Sequence, residues 1–238
     1  MPIALKAEGI TVRFGGVVAV DNVDLTLEKG KTVGIIGPNG AGKTTFFNAV
    51  TGFVPVSTGE ISFFDQRVTT LPAYKRTHLG MGRTFQTERP FEELTVLENV
   101  LVAAYLRTSR SKEATEIAMQ ALSQVGLEDR AHQPAADLNL ARLRRLELAK
   151  ALATQPKVLF LDEIMAGLNP PALQSMIEFV RSLVKDGMSI LMVEHIMEAI
   201  IELSDHVLVL ANGKLIAEGM PKEVLASEQV IDAYLGTD

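Results

Sequence analysis

Apolar residues recur along this chain in two rhythms. Period-two alternation marks Ile10-Thr11-Val12-Arg13-Phe14 and Val23-Asp24-Leu25-Thr26-Leu27 as half-buried strands. Short apolar runs at Thr32-Val33-Gly34-Ile35-Ile36, Val158-Leu159-Phe160-Leu161 and Ser189-Ile190-Leu191-Met192-Val193 read as strands of the buried kind. Glu60-Ile61-Ser62-Phe63-Phe64 is a further strand. Between the second and third of those runs, Leu173, Met176, Ile177, Val180, Leu183 and Val184 fall on one face of an amphipathic helix. Asn212-Gly213, set between Val207-Leu208-Val209-Leu210 and Lys214-Leu215-Ile216-Ala217, predicts a hairpin.

From about residue 87 to 150 the pattern is mainly helical. Thr95-Val96-Leu97-Glu98 has the spacing of a capping box, and the Ala-rich stretch from Ser111 to Val125 lacks strand signals. The order of elements therefore predicts an α/β core, residues 1–86 and 151–238, interrupted by a helical insert at about 87–150.

Composition narrows the function classes. The chain has 238 residues, 47% hydrophobic and 22% charged, enough for one large domain or one domain with an insert. A formal net charge of −6 supplies no whole-molecule attraction for nucleic acid, and no nucleic-acid partner is expected. The absence of cysteine excludes disulfides, thiolate catalysis and zinc–thiolate sites. The start, Met1-Pro2-Ile3-Ala4-Leu5-Lys6, lacks the marks of a secretory signal, and no apolar run approaches the roughly 20 residues that span a bilayer. Any membrane role is expected to come through a partner.

The chemistry-bearing motif is Gly37-Pro38-Asn39-Gly40-Ala41-Gly42-Lys43-Thr44, a match to the G-x-x-x-x-G-K-[ST] phosphate-binding loop. It follows a predicted strand and opens a predicted helix, about Lys43 to Thr51, which is the context the motif requires. The glycines let the backbone aim N–H groups inward, and the helix N-terminus favours an anion. Lys43 then supplies a charge to the β- and γ-phosphates, Thr44 a hydroxyl to Mg²⁺, and Thr45 a bond to the α-phosphate.

A second site is the apolar strand that ends in Asp162-Glu163. Beside a phosphate loop, Asp162 is placed to orient the Mg²⁺ shell and Glu163 to act as general base on the attacking water. His195 follows another apolar strand and Glu194, a position that suggests a γ-phosphate contact or a structural role; His78, His132 and His206 have no such context.

In order and spacing these motifs resemble those of ATP-binding cassette ATPases over essentially the whole chain: the phosphate loop, Gln86 in Arg83-Thr84-Phe85-Gln86, Asp162-Glu163 and His195. The resemblance implies a phosphate-loop NTPase core with a mainly parallel sheet, an N-terminal antiparallel β subdomain and an inserted α-helical subdomain. It implies that Phe14 stacks on adenine, where the strand pattern alone would make it a core residue. It implies that Gln86 touches Mg²⁺ or the attacking water, that His195 is the switch histidine, and that Ala166-Gly167-Leu168-Asn169 crosses a dimer interface.

The family's signature, Leu-Ser-Gly-Gly-Gln, caps the γ-phosphate held by the other subunit. Here it corresponds to Leu138-Asn139-Leu140-Ala141-Arg142, with only Leu138 identical. Asn139 keeps an amide that can donate to phosphate, whereas Ala141 has a methyl where Gly permits closer approach and positive φ. A plain helix cap is the alternative reading of this stretch. Ile164 and Asn169 also depart from the family's usual Pro and Asp.

Within the family, the stretches Arg83 to Gln86, Leu94 to Val100, Ala166 to Pro170 and Ile231 to Gly236 resemble the ATPases of branched-chain amino acid importers. That likeness implies ATP and Mg²⁺ as cofactors and a homodimer or heterodimer with a second cassette ATPase. It also implies two transmembrane permease subunits, an indirect solute-binding protein outside the membrane, and a peripheral place on the membrane's cytoplasmic face. The alternatives are a nucleotide-dependent regulatory module with weak hydrolysis and the ATPase of an exporter or lipid transporter.

Overall fold

A computed structural model describes residues 2–86 and 90–235. In chain order the strands and helices begin with β1 (Ile3–Phe14), β2 (Val17–Glu28), β3 (Thr32–Ile36), α1 (Lys43–Thr51), β4 (Thr58–Phe63), β5 (Gln66–Arg67), α2 (Ala73–Leu79) and β6 (Met81–Arg83). There follow α3 (Val96–Ala104), α4 (Ser111–Gln124), α5 (Leu140–Ala153), β7 (Val158–Asp162) and α6 (Pro170–Lys185). The chain ends with β8 (Ser189–Val193), α7 (Met197–Leu203), β9 (His206–Ala211), β10 (Lys214–Gly219), α8 (Pro221–Leu225) and α9 (Glu228–Leu235). They fall into two compact units, one of Met1–Arg76 with Val180–Asp238 and one of Thr77–Phe179.

The first unit has two sheets. An antiparallel sheet runs β2-β1-β4-β5. The alternation read in the sequence is its inward face: Leu5 pairs with Leu27, Ala7 with Leu25, Ile10 with Val23 and Val12 with Val20, and all eight are buried. Register shifts along β1 and β2 keep this face apolar over strands of 12 residues each. In the other sheet the strands run β10-β9-β3-β8. β3 is parallel to both β8 and β9. All five residues of β3 and of β8 are buried, which is why neither strand alternates. The β9–β10 hairpin closes through Asn212 and Gly213, at φ 48 and 77, the left-handed pair that a tight primed turn demands.

Helix α1 leaves β3 through the glycine-rich loop and buries Phe46, Phe47, Ala49 and Val50. Its far end is held by Arg76, only 1% exposed. The guanidinium donates from Nη1 to Ala49 O at 2.9 Å and Val50 O at 2.5 Å, from Nη2 to Thr69 O at 2.9 Å and from Nε to Leu71 O at 2.8 Å. Two of these acceptors are terminal carbonyls of α1, where the helix dipole favours a cation. Burial lowers the Arg76 pKa to about 10, so the side chain stays charged at neutral pH.

In the second unit β6 and β7 pair in parallel, and α3, α4 and α5 pack on one another. The expected capping box is present: Thr95 Oγ1 accepts from Glu98 N, and the Glu98 carboxylate accepts from Thr95 N at 2.8 Å. Buried Asn99 donates to Phe91 O and Thr95 O and accepts from Phe91 N, tying the approach to α3 onto the helix. The α/β class, the antiparallel N-terminal sheet, the parallel strand pairs and the helices between β6 and β7 agree with the expectation from sequence.

Arg76 generates a stability prediction. Arg76→Met leaves four carbonyls, two of them buried, without their donor and is expected to cost about 3 kcal/mol or more. Arg76→Lys recovers part of this, because one ammonium cannot reach all four acceptors. Urea unfolding midpoints of the three proteins measure both effects.

Candidate functional site

The loop from Gly37 to Gly42 is shaped by its surroundings as much as by its glycines. At Gly37, φ is 146, and a Cβ there would lie 2.0 Å from Leu210 O on β9. At Gly42, φ is 97, and a Cβ would lie 2.5 Å from Ala19 O. No side chain fits at either position, so the loop backbone passes closer to β9 and β2 than any other residue type permits. The β9–β10 turn braces the same loop, with Gly213 N donating to Ala41 O at 3.0 Å.

α1 begins at Gly42 without a side-chain cap and with no acidic residue in its first turn. Its leading N–H groups are therefore available to an external anion. Lys43 is 5% exposed, and its Nζ donates to Gly37 O at 2.7 Å and Pro38 O at 2.9 Å. The ammonium is thus folded into the loop whose amides surround it. Thr44, Asn39 and Gly40 are exposed, Pro38 and Thr45 are half-buried, and Ala41 is buried.

In the second unit, β7 delivers Asp162 and Glu163, both buried. Gln86, 77 positions earlier, donates from Nε2 to Glu163 Oε2 at 2.6 Å, so two residues singled out from sequence meet. Glu163 has φ 50, a strained left-handed backbone for a residue with a Cβ, held where its carboxylate meets Gln86. Asp162 Oδ2 accepts from Arg83 Nη2 at 2.8 Å, and Asp162 N donates to Thr84 Oγ1 at 3.2 Å. Burial raises the Asp162 pKa and the neighbouring Glu163 adds to that, while Arg83 pulls it down.

Asp162 Oδ1 is buried and has no hydrogen-bond partner among the described residues. Such an orphaned hard oxygen fits a role in orienting a Mg²⁺ shell. No group of three or more His, Asp or Glu able to hold a metal occurs among the described residues.

Asn139 is the N-cap of α5, its Oδ1 accepting from Arg142 N at 3.1 Å. Asn139 thus caps the helix through its oxygen, which leaves the amide Nδ2 as the donating end. Leu140 is exposed, while Ala141 and Arg142 are half-buried in the first turn. Ala141 is absent from the positive-φ residues, so its backbone needs no glycine; its methyl alters approach without adding strain.

Arg144, two residues on and 6% exposed, was not anticipated. It donates from Nη1 to Gln86 O at 2.8 Å and from Nη2 to Ala166 O at 3.3 Å. One side chain of α5 thus ties the backbone of Gln86 to the loop after Glu163. Asn169 closes that loop by accepting from Ala172 N at the start of α6.

In the first unit His195 is exposed directly after β8, and Phe14 at the end of β1 is 52% exposed, an aromatic face open to a ligand rather than part of the core. Tyr234 on α9 was also missed. Burial raises its phenol pKa, and the nearby Gly37 backbone opposes the rise, which puts the C-terminal helix close to the phosphate loop.

A helix start built for an anion, fed by a buried parallel strand, places the chain among the phosphate-loop nucleotide-binding proteins. Residues 20–166 match the family described as ABC transporter, and residues 214–238 match the one described as branched-chain amino acid ATP-binding cassette transporter. The chain belongs to the ATP-binding cassette family of transporter ATPases.

It is 39% identical to the high-affinity branched-chain amino acid transport ATP-binding protein BraF of Pseudomonas aeruginosa, over 98% of this chain and 97% of that protein. It is 36% identical to a probable branched-chain amino acid transport ATP-binding protein LivG of Archaeoglobus fulgidus, over 98% and 95%. Among solved structures, the ADP conformation of MJ1267, an ATP-binding cassette of an ABC transporter, superposes with a TM-score of 0.91 at 31% identity, covering 99% of this chain and 100% of that one. No helix among the described residues is long and apolar enough to cross a membrane.

Arg144→Met is expected to lower ATP turnover about 10- to 100-fold, because Gln86 and the loop after Glu163 lose their common anchor. Nucleotide affinity at the phosphate loop should stay within about twofold, since the bonds lost are those to Gln86 and Ala166. Steady-state turnover and equilibrium nucleotide titration separate the two effects.

Proposed function

We propose that this chain binds ATP at the phosphate loop and hydrolyses it to power uptake of branched-chain amino acids or related hydrophobic solutes through separate membrane subunits. The reading of the solute class rests on the match of residues 214–238 to the branched-chain amino acid cassette family, supported by relatives of that name along nearly the full chain. The loop with its enclosed lysine carries the reading of ATP.

The geometry of each part supports the following roles. Gly37 to Thr45 present backbone N–H groups and the α1 N-terminus to the phosphates, with Lys43 facing their charge. The exposed ring of Phe14 stacks on adenine. Thr44, Gln86 and Asp162 hold Mg²⁺, which when bound neutralises charge on the phosphate oxygens. Glu163, steadied by Gln86, takes a proton from the attacking water, and His195 stabilises charge on the transferring phosphoryl group.

Two cassettes, alike or different, close around two nucleotides, and Asn139 to Arg142 of each completes the site of the other. ATP contacts both subunits, so its binding favours closure and its hydrolysis releases it. Residues 1–86 and 151–238 act as the nucleotide-binding core, and about 87–150 as the helical subdomain that meets the permeases. The stretch after Gln86 that would carry the motion includes residues 87–89, which lie outside the described residues. The assembly sits on the cytoplasmic face of the membrane and receives solute from an external binding protein.

Purification with the membrane subunits that bind this chain, reconstitution in vesicles and solute screening test the reading. Leucine, isoleucine or valine should stimulate phosphate release and accumulate in an ATP-dependent way. Glu163→Gln should cut phosphate release by about 100-fold or more while ATP binding persists. Equal release by both proteins would refute the hydrolytic role of Glu163.

A further inference from the structure

We propose that Arg83 is the resting counter-ion of Asp162, and that it gives up this carboxylate when the divalent cation accompanying the nucleotide arrives. The inference rests on the reading of Asp162 given above. It concerns a residue to which that reading gives no role.

Arg83 ends β6 and Asp162 ends β7, and the two strands run parallel with Arg83 opposite Phe160. Arg83 Nη2 and Asp162 Oδ2 are 2.8 Å apart, and the two side chains are 9% and 4% exposed. The carboxylate therefore meets a cation with almost no water to screen it. Glu163, next in the chain, adds a like charge to Asp162 and is itself bonded by the neutral amide of Gln86. Arg83 thus balances Asp162 through a direct ion pair.

Half of that carboxylate is left open. Oδ1 is buried and without a hydrogen-bond partner among the described residues, while Oδ2 is held by Arg83. The same guanidinium already lies over an aromatic ring, its carbon 5.1 Å from the centroid of Phe85, while it holds Asp162. Phe85 is 44% exposed, so the ring offers a cation–π contact at a more hydrated site. Arg83 thus bridges a carboxylate that a hard cation also seeks and an aromatic face that can keep the guanidinium when the carboxylate is lost. The two cations compete for one charge, and metal occupancy is coupled to the position of the segment that leads to Gln86.

The competing account is that Arg83 only orients Asp162 for the metal, and it predicts the opposite sign. Affinity for a fluorescent ADP analogue, titrated with Mg²⁺ at mildly alkaline pH, distinguishes them without turnover. For Arg83→Met the half-saturating Mg²⁺ concentration should fall by roughly 3- to 10-fold, because a competing cation is gone. Arg83→Lys, which keeps the charge, should stay within about twofold of the unsubstituted chain. An unchanged or increased Mg²⁺ requirement in Arg83→Met, with Mg²⁺-free nucleotide affinity intact, overturns the proposal.

The unsubstituted chain gives an independent readout should Arg83→Met fold poorly. The ¹⁵N-labelled guanidinium signals of Arg83 should leave their hydrogen-bonded shift as Mg²⁺ is added to the nucleotide complex. Signals that stay in place contradict the exchange. Failure of the unsubstituted chain to bind nucleotide at all would count against the phosphate-loop reading, a result distinct from either of these.

Discussion

Everything in the site leans on keeping the Lys43 ammonium inside a loop of backbone dipoles. A buried cation is costly unless oxygens surround it, and here Gly37 O and Pro38 O do so. That geometry needs a backbone drawn against β9 and β2, where a single methyl at Gly37 or Gly42 would collide with a carbonyl. It also needs α1 to start at a fixed point with its first N–H groups uncommitted. The helix is secured from behind, since Arg76 satisfies carbonyls at its other end. The anion site is thus a consequence of how α1 is mounted, with two termini prepared for opposite charges.

Buried arginines recur as the means by which distant segments are joined. Arg76 links α1 to the chain around Thr69 and Leu71, and Arg144 links Gln86 to Ala166. Arg83 brings a strand end to Asp162 across 79 positions. A planar guanidinium with five donors suits such work better than an ammonium. Two of these three donate to backbone carbonyls, and such bonds fix the path of loops.

Much of the architecture was legible because it depends on local pattern. β3, α1 and β8 fall where their apolar runs and the glycine loop place them, and the Asn212-Gly213 turn and the Thr95–Glu98 capping box form as their chemistry dictates. Other features gave no periodic signal. β6 has three residues, one of them Gly82, and β5 has two, too few for a period. The arginines were hidden for a different reason. A charged residue in a sequence is ordinarily assigned to the surface, and only the tertiary fold supplies the carbonyls and carboxylate that make its burial favourable. The signature-like stretch shows the limit within a motif: Asn139 caps α5 and Ala141 is helical, so the departure from glycine carries no backbone strain.

The central claim is that Lys43 and the amides around it hold the phosphates of ATP. Equilibrium titration of the purified chain with ATP and Mg²⁺ tests it most directly, with Lys43→Ala in parallel. Saturable binding by the unsubstituted chain and a loss of about 30-fold or more in Lys43→Ala is the predicted result, in line with removal of a charge-assisted contact. Equal affinities in the two proteins, or no saturable binding in either, would contradict the account.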